Sequence, residues 1–142
     1  MKTNLTFSII KPDSVKKGNY SEIHRMITTD GFRVIGLKST WLTKSLAEKF
    51  YAIHKGKPFY KDLIKFMCSG EIYVMAIQKD NAVEGLRELI GDTDPELASE
   101  ETIRKKFGES IGKNAIHGAD SDENAKREIL FFFPELITKF HD

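Results

Sequence analysis

The chain has 142 residues, 40% of them hydrophobic, and its 22 basic and 21 acidic side chains leave a net charge of +1. That size and apolar content support a single domain over residues 1–142 with one continuous core. The balanced charge excludes a global basic field for nucleic acid and an acidic solvating tail, so any phosphate site must be local. The single cysteine, Cys68, can form neither an intramolecular disulfide nor, by itself, a zinc site. No signal-like N-terminal segment and no apolar run of about 18 residues occurs, so a soluble, cytoplasmic protein with no membrane partner is expected.

Residues 5–10 alternate apolar with polar side chains and read as a strand that ends at Lys11-Pro12-Asp13, where proline removes a ladder donor. Tyr20–Thr29 has helical spacing at Ile23, Met26 and Ile27 and is closed by Gly31. A β-branched run over residues 32–42 follows, interrupted by Gly36. Thr43 can cap a helix with an apolar stripe of Leu46, Phe50 and Ile53, and Gly56-Lys57-Pro58 turns the chain into a second short helix over residues 59–67.

Glu71–Gln78 is rich in Ile, Val and Tyr and predicts a third strand, after which Asp80 or Asn81 caps a helix through Ile90. Residues 91–113 show no sustained periodicity, and irregular segments of that length inside small domains are usually functional or disordered. A short strand, Ala115-Ile116, follows. Ser121 then caps a last helix with Asp122 and Glu123 in its first turn. This order predicts an α+β, ferredoxin-like βαββαβ sandwich, a four-stranded antiparallel sheet with helices on one face and a long loop before His117.

Several residues sit oddly in that plan. Ala125, Ile129 and Phe132 mark the inward stripe of the last helix, and Glu128 falls on it. A buried carboxylate needs a donor, and His117, just before this helix, is a candidate. Imidazole is nucleophilic at neutral pH, and a hydrogen bond on one ring nitrogen selects the other for attack. The helix start beyond it would favour a phosphoryl group.

Lys11 shares parity with Leu5, Phe7 and Ile9 and emerges from the covered face at the end of its strand. Arg87 lies at the margin of the stripe Val83-Leu86-Leu89-Ile90, where a phosphate clamp and a solvated flank are both consistent with its spacing. Arg104 and Thr93 belong to the irregular 91–113 segment. Tyr51 points away from Leu46, Phe50 and Ile53, presenting a ring on which a base could stack. Phe59 aligns with Leu63 and Phe66, a spacing that suits core filler and leaves a base platform open. His24, His54 and His141 have no supporting neighbours in sequence.

No G-x-x-x-x-G-K-[ST], G-x-G-x-x-G or G-x-S-x-G motif is present, and no His, Cys and carboxylate set has zinc spacing. An RNP-type aromatic-basic motif is also missing, which argues against an RNA-binding module. Phosphate would have to be held by separate cationic side chains.

Three segments in this order, Thr6-Phe7-Ser8-Ile9-Ile10-Lys11-Pro12-Asp13, Thr102-Ile103-Arg104 and Asn114-Ala115-Ile116-His117-Gly118-Ala119-Asp120-Ser121, resemble the nucleoside diphosphate kinase family. The resemblance runs from about Thr6 to Glu135. It implies ping-pong transfer of the γ-phosphate of a nucleoside triphosphate, typically ATP, through a phosphohistidine at His117, with Glu128 beside it. It also implies nucleotide contacts from Lys11, Tyr51, Arg87, Thr93, Arg104 and Asn114, base stacking on Phe59, Mg²⁺ carried by the nucleotide phosphates, and a tetrameric or hexameric homo-oligomer.

The chain departs from the family pattern at Ala119, where serine is usual, at Ser14, where glycine is usual, and at Glu101 in place of the glycine of Gly-Thr-Ile-Arg. Ala119 motivates an alternative reading, a catalytically weakened member that binds nucleotides to regulate a partner.

Overall fold

The structure is a computed structural model that describes residues 4–140; His141 and the first three residues of the N-terminal segment lie outside it. Four strands, β1 (Leu5–Ile10), β2 (Arg33–Trp41), β3 (Glu71–Gln78) and β4 (Ile116–Gly118), form one sheet in the order β2-β3-β1-β4. All three pairings are antiparallel, with Leu5 opposite Gln78 and Ile9 opposite His117. The expected four-stranded ferredoxin-like sheet is therefore present, and the irregularity expected at Gly36 is a register shift between Val34 and Gly36.

Helices cover both faces of this sheet, not one. Leu5, Phe7 and Ile9 pack with Ile72, Val74 and Ala76 beneath α3 (Lys44–Phe50), α4 (Tyr60–Met67) and α7 (Asp122–Phe132). Ile10, Met75, Ile77 and Ile116 pack on the other side beneath α2 (Tyr20–Thr29), α5 (Ala82–Ile90) and α6 (Ile103–Phe107). The polar alternation of β1 reads as a solvated face, yet Thr6 and Ser8 are fully buried. Ser8 satisfies its hydroxyl by donating to the carbonyl of His117 at 2.9 Å.

Two short helices are invisible in the sequence pattern. Pro12 ends β1 and also opens α1 (Pro12–Lys16), because its fixed φ suits the first turn of a helix where no N–H partner is needed. Within the segment expected to be irregular, Thr102 caps α6, its hydroxyl accepting from the amide of Lys105. Five residues are too few to display a helical period. Side-chain caps form as expected at Thr43 for α3 and Ser121 for α7, whereas Asn81, before α5, is left-handed and its side chain makes no cap hydrogen bond.

The stripe expected after Thr43 is wrong in phase. Leu46 is 40% and Ile53 55% exposed, whereas Ala47, Phe50 and Tyr51 are buried. The α-helix stops at Phe50 and a tighter 3-10 turn, Ala52–His54, carries the chain on, so residues beyond Phe50 no longer follow the 3.6-residue period.

At the end of α5, Gly91 has φ 92° and ψ −176°, a region open essentially only to glycine. A Cβ there would stand 2.6 Å from the Thr102 side chain that caps α6. Gly91→Ala is therefore expected to destabilise the fold by about 1–3 kcal/mol in urea unfolding. An unchanged midpoint would show that α5 and α6 are not locked together at this point.

Candidate functional site

Pairing with Ile9 fixes the direction of His117. Its ring lies 6.1 Å from that of Phe7 and 6.0 Å from that of Phe50, edge-on to both. The sequence places the histidine just past the short strand Ala115-Ile116; the structure includes it in β4. From α7, the buried Glu128 brings Oε1 to 2.7 Å from His117 Nε2. The inward carboxylate and the histidine thus meet, as the helical stripe and the desolvation cost of an unpaired carboxylate require. His117 Nδ1 has no hydrogen-bond partner among the described residues, and the histidine lines a cavity.

The chain reaches β4 through a strained turn. Ala115 has φ 76°, and the amide of Ile116 donates to the carbonyl of Asn114 across it at 2.9 Å, a γ-turn rarely adopted by residues other than glycine. Both peptide groups of Ala115 are pinned: its amide donates to Asp13 Oδ2 at 3.1 Å, and its carbonyl accepts from the Lys11 amide at 2.8 Å. The link between β1 and α1 therefore holds the turn that sets Asn114 and His117 on either side.

Lys11 is 8% exposed and donates from Nζ to Asn114 Oδ1 at 2.8 Å, while Asn114 Nδ2 donates to the carbonyl of Thr93 at 3.1 Å. Burial, and then the positive charge of Arg104, lower the Lys11 ammonium to about 8 against the opposing pull of Asp13. Arg104 is anchored by two carbonyls, Nη1 to Gly91 at 3.1 Å and Nη2 to Ile116 at 2.9 Å. Burial and the neighbouring Arg87 lower it to about 10, with Asp92 opposing. Lys11 and Arg104 are thus held against desolvation and the repulsion of a neighbouring cation, an arrangement that an anion would relieve.

The other end of the site is aromatic. Phe59, at the N-cap of α4, is 49% exposed at the cavity mouth, so the core position suggested by its spacing is not occupied. Tyr51, expected to point off the packing stripe, is instead buried, and its hydroxyl has no partner among the described residues. Burial and the charge of Glu128 raise its pKa. His54 was unremarkable in sequence, but the 3-10 turn sets its ring 6.2 Å from Tyr51 and 5.4 Å from Phe59. Its pKa is lowered by burial, then by Lys57 and His117. Only the turn that shifts the phase after Phe50 could have revealed it.

The site holds a cavity of about 980 Å³, a size suited to a small-molecule ligand. Lys11, Tyr51, Phe59, Arg87, Thr93, Arg104, Asn114, His117 and Glu128 all line it. Among the described residues no group of three or more His, Cys, Asp or Glu side chains is arranged to hold a metal ion. No helix among them is long and apolar enough to cross a membrane.

Comparison with known proteins gives a family model described as nucleoside diphosphate kinase, matching residues 4–137. A nucleoside diphosphate kinase of Flavobacterium psychrophilum is 52% identical over 133 residues, covering 94% of this chain and 96% of that protein. Nucleoside diphosphate kinase 1 of Protochlamydia amoebophila is 48% identical over 139 residues, covering 97% and 99%. Among solved structures, the Aquifex aeolicus nucleoside diphosphate kinase superposes with a TM-score of 0.91 at 38% identity, over 92% of this chain and 95% of that one. A Halobacterium salinarum nucleoside diphosphate kinase in complex with CDP gives 0.88 at 35% identity, over 92% and 88%.

Lys11 provides a direct check on the electrostatics. Its folded value of about 8 lies below the ordinary 10.5, so the unfolded chain binds more protons between those limits. The cost of burying the ammonium is then complete below pH 8 and fades as pH rises toward 10.5. In the nucleotide-free protein, NMR titration of the lysine side chains should place the Lys11 midpoint near 8. Lys11→Met should be the more stable protein at pH 7, with the difference shrinking above pH 8; a midpoint at the ordinary lysine value would refute the dry site.

Proposed function

The chain belongs to the nucleoside diphosphate kinase family, whose members are nucleotide phosphotransferases, and from that premise we propose that it moves the γ-phosphate of ATP, or of another nucleoside triphosphate, to a nucleoside diphosphate in two steps through His117. The observation that carries this reading is the His117–Glu128 hydrogen bond. With Nε2–H donated to the carboxylate, the lone pair on Nδ1 is the one offered to the cavity.

In the first step Nδ1 attacks the γ-phosphorus, the bond to the β–γ bridging oxygen breaks, and the nucleoside diphosphate leaves with that oxygen. In the second, a terminal β-phosphate oxygen of the acceptor attacks the same phosphorus and the P–N bond breaks, restoring neutral His117. Glu128 stabilises the positive charge that the imidazole acquires on phosphorylation.

Lys11, Arg87 and Arg104 supply the charge that a transferring phosphoryl group needs, and Thr93 and Asn114 supply polar contacts. The Tyr51 hydroxyl, which has no partner among the described residues, is a further donor toward the reacting group. Phe59, exposed at the mouth, is the surface on which a base stacks, a contact tolerant of base identity. Mg²⁺ would arrive with the nucleotide and would offset phosphate charge alongside Lys11, Arg87 and Arg104.

The whole chain acts as one domain in the cytoplasm, and a tetramer or hexamer of identical chains is part of the reading. The open edge of β2, with Leu37 and Trp41 exposed, supports self-association. The weakened, purely regulatory alternative is not favoured, because every group named for transfer lines the cavity despite Ala119.

Incubation with γ-labelled ATP is expected to give an acid-labile, base-stable label on the wild type and none on His117→Ala; an unlabelled wild type would sink the reading. Glu128→Gln should slow phosphorylation by roughly tenfold or more, the equivalent of one charge-assisted hydrogen bond, while ADP affinity stays nearly intact. Equal loss of both would make Glu128 structural only.

A further inference from the structure

A buried carboxylate has two oxygens to satisfy. Glu128 Oε1 is taken by His117. The Tyr51 hydroxyl feels the Glu128 charge but forms no hydrogen bond among the described residues. Ala119, two residues past the histidine, is buried in apolar contact with Val83 and Ala125 and has no side-chain donor. Among the described residues the donor to Oε2 is Arg127, whose Nη2 lies 3.4 Å away.

The same guanidinium reaches across to another element. Nη1 donates to the carbonyl of Phe50, at the end of α3, at 3.3 Å, and Cζ sits 5.9 Å from the Phe50 ring centroid. Phe50 is in turn one of the two rings set edge-on to His117. Consecutive helical residues point about 100° apart, so Arg127 must fold back along α7 to touch its neighbour. That conformation costs side-chain entropy, and a lone, partly exposed ion pair would recover little of it. Two anchored arms hold it there, against the cost of a buried Nε that has no partner among the described residues.

We propose that Arg127 is a positioning residue for phosphotransfer: it orients the Glu128 carboxylate and the Phe50 wall together, and thereby holds His117 in the tautomer with the proton on Nε2. The inference rests on His117 being the phosphoryl carrier, but the positioning itself can be read without any transfer. Arginine suits the task because its planar fork can donate to two acceptors on different elements at once, whereas lysine is a single point donor.

The test uses the full chain with ¹⁵N-labelled histidine, the His117 ring signals being assigned by their loss in His117→Gln. In the wild type these shifts should report a single Nε2–H tautomer. In Arg127→Met they should report a mixture of both tautomers, and single-turnover labelling from γ-labelled ATP should slow roughly tenfold while ADP affinity stays within about twofold. Arg127→Lys, which keeps charge and stem, should fall between the two and serves if the methionine variant does not fold.

A ring that stays wholly Nε2–H in the variants overturns the proposal, whatever the rate. ADP affinity falling in proportion to the rate overturns it too. An unlabelled wild type whose tautomer still shifts in Arg127→Met would remove the phosphotransfer reading and leave the positioning role standing.

Discussion

A carboxylate buried among apolar side chains has to be met by donors, and the structure around the site follows from how Glu128 meets that demand. Ala125 and Ile129, fully buried on the same face of α7, seat that helix on the sheet and leave Glu128 pointing inward with them. The short strand β4 then delivers His117 to the carboxylate, its direction set by antiparallel pairing with β1. One hydrogen bond therefore links the packing of α7, the register of the sheet and the choice of which imidazole nitrogen faces the cavity.

The cationic side of the site shows the opposite logic, in which folding works against local electrostatics. Lys11 and Arg104 are both shifted toward their neutral forms, each by burial and by another cation. They stay in place because uncharged groups fix them: the Asn114 amide for Lys11, and the carbonyls of Gly91 and Ile116 for Arg104. Under the proposed transfer, donors positioned before a phosphate arrives would not have to reorganise when it does, and this is how fixed charges act most strongly in catalysis. The left-handed Ala115 is strain of the same kind, held by Asp13 and the backbone of Lys11.

Some of the site was legible from single elements. Parity along β1 put Lys11 on the covered face, and the helical stripe of α7 put Glu128 inward; both are buried and both line the cavity. Where the local period broke, reading failed. The change from α-helix to 3-10 turn after Phe50 buries Tyr51 and exposes Ile53, reversing the expected pattern. Phe59 has core-like spacing, but as the residue preceding the first turn of α4 it escapes the helical face that Leu63 and Phe66 share. That Thr93 and Arg104 line the cavity could not be read from spacing, since a segment without periodicity carries no directional information.

By itself the sequence determined the order and type of the long elements, their caps at Thr43 and Ser121, and the inward carboxylate, because these depend on residues a few positions apart. Only the tertiary structure decided that helices cover both faces of the sheet and that the polar side of β1 is buried. It alone decided that Lys11 meets Asn114, 103 residues away, in the same cavity as Arg87 and Arg104. Spacing tells a side chain which face of its own element it occupies. Which elements those faces meet is settled by the burial of the entire apolar surface at once, and that sum is not written in any local window.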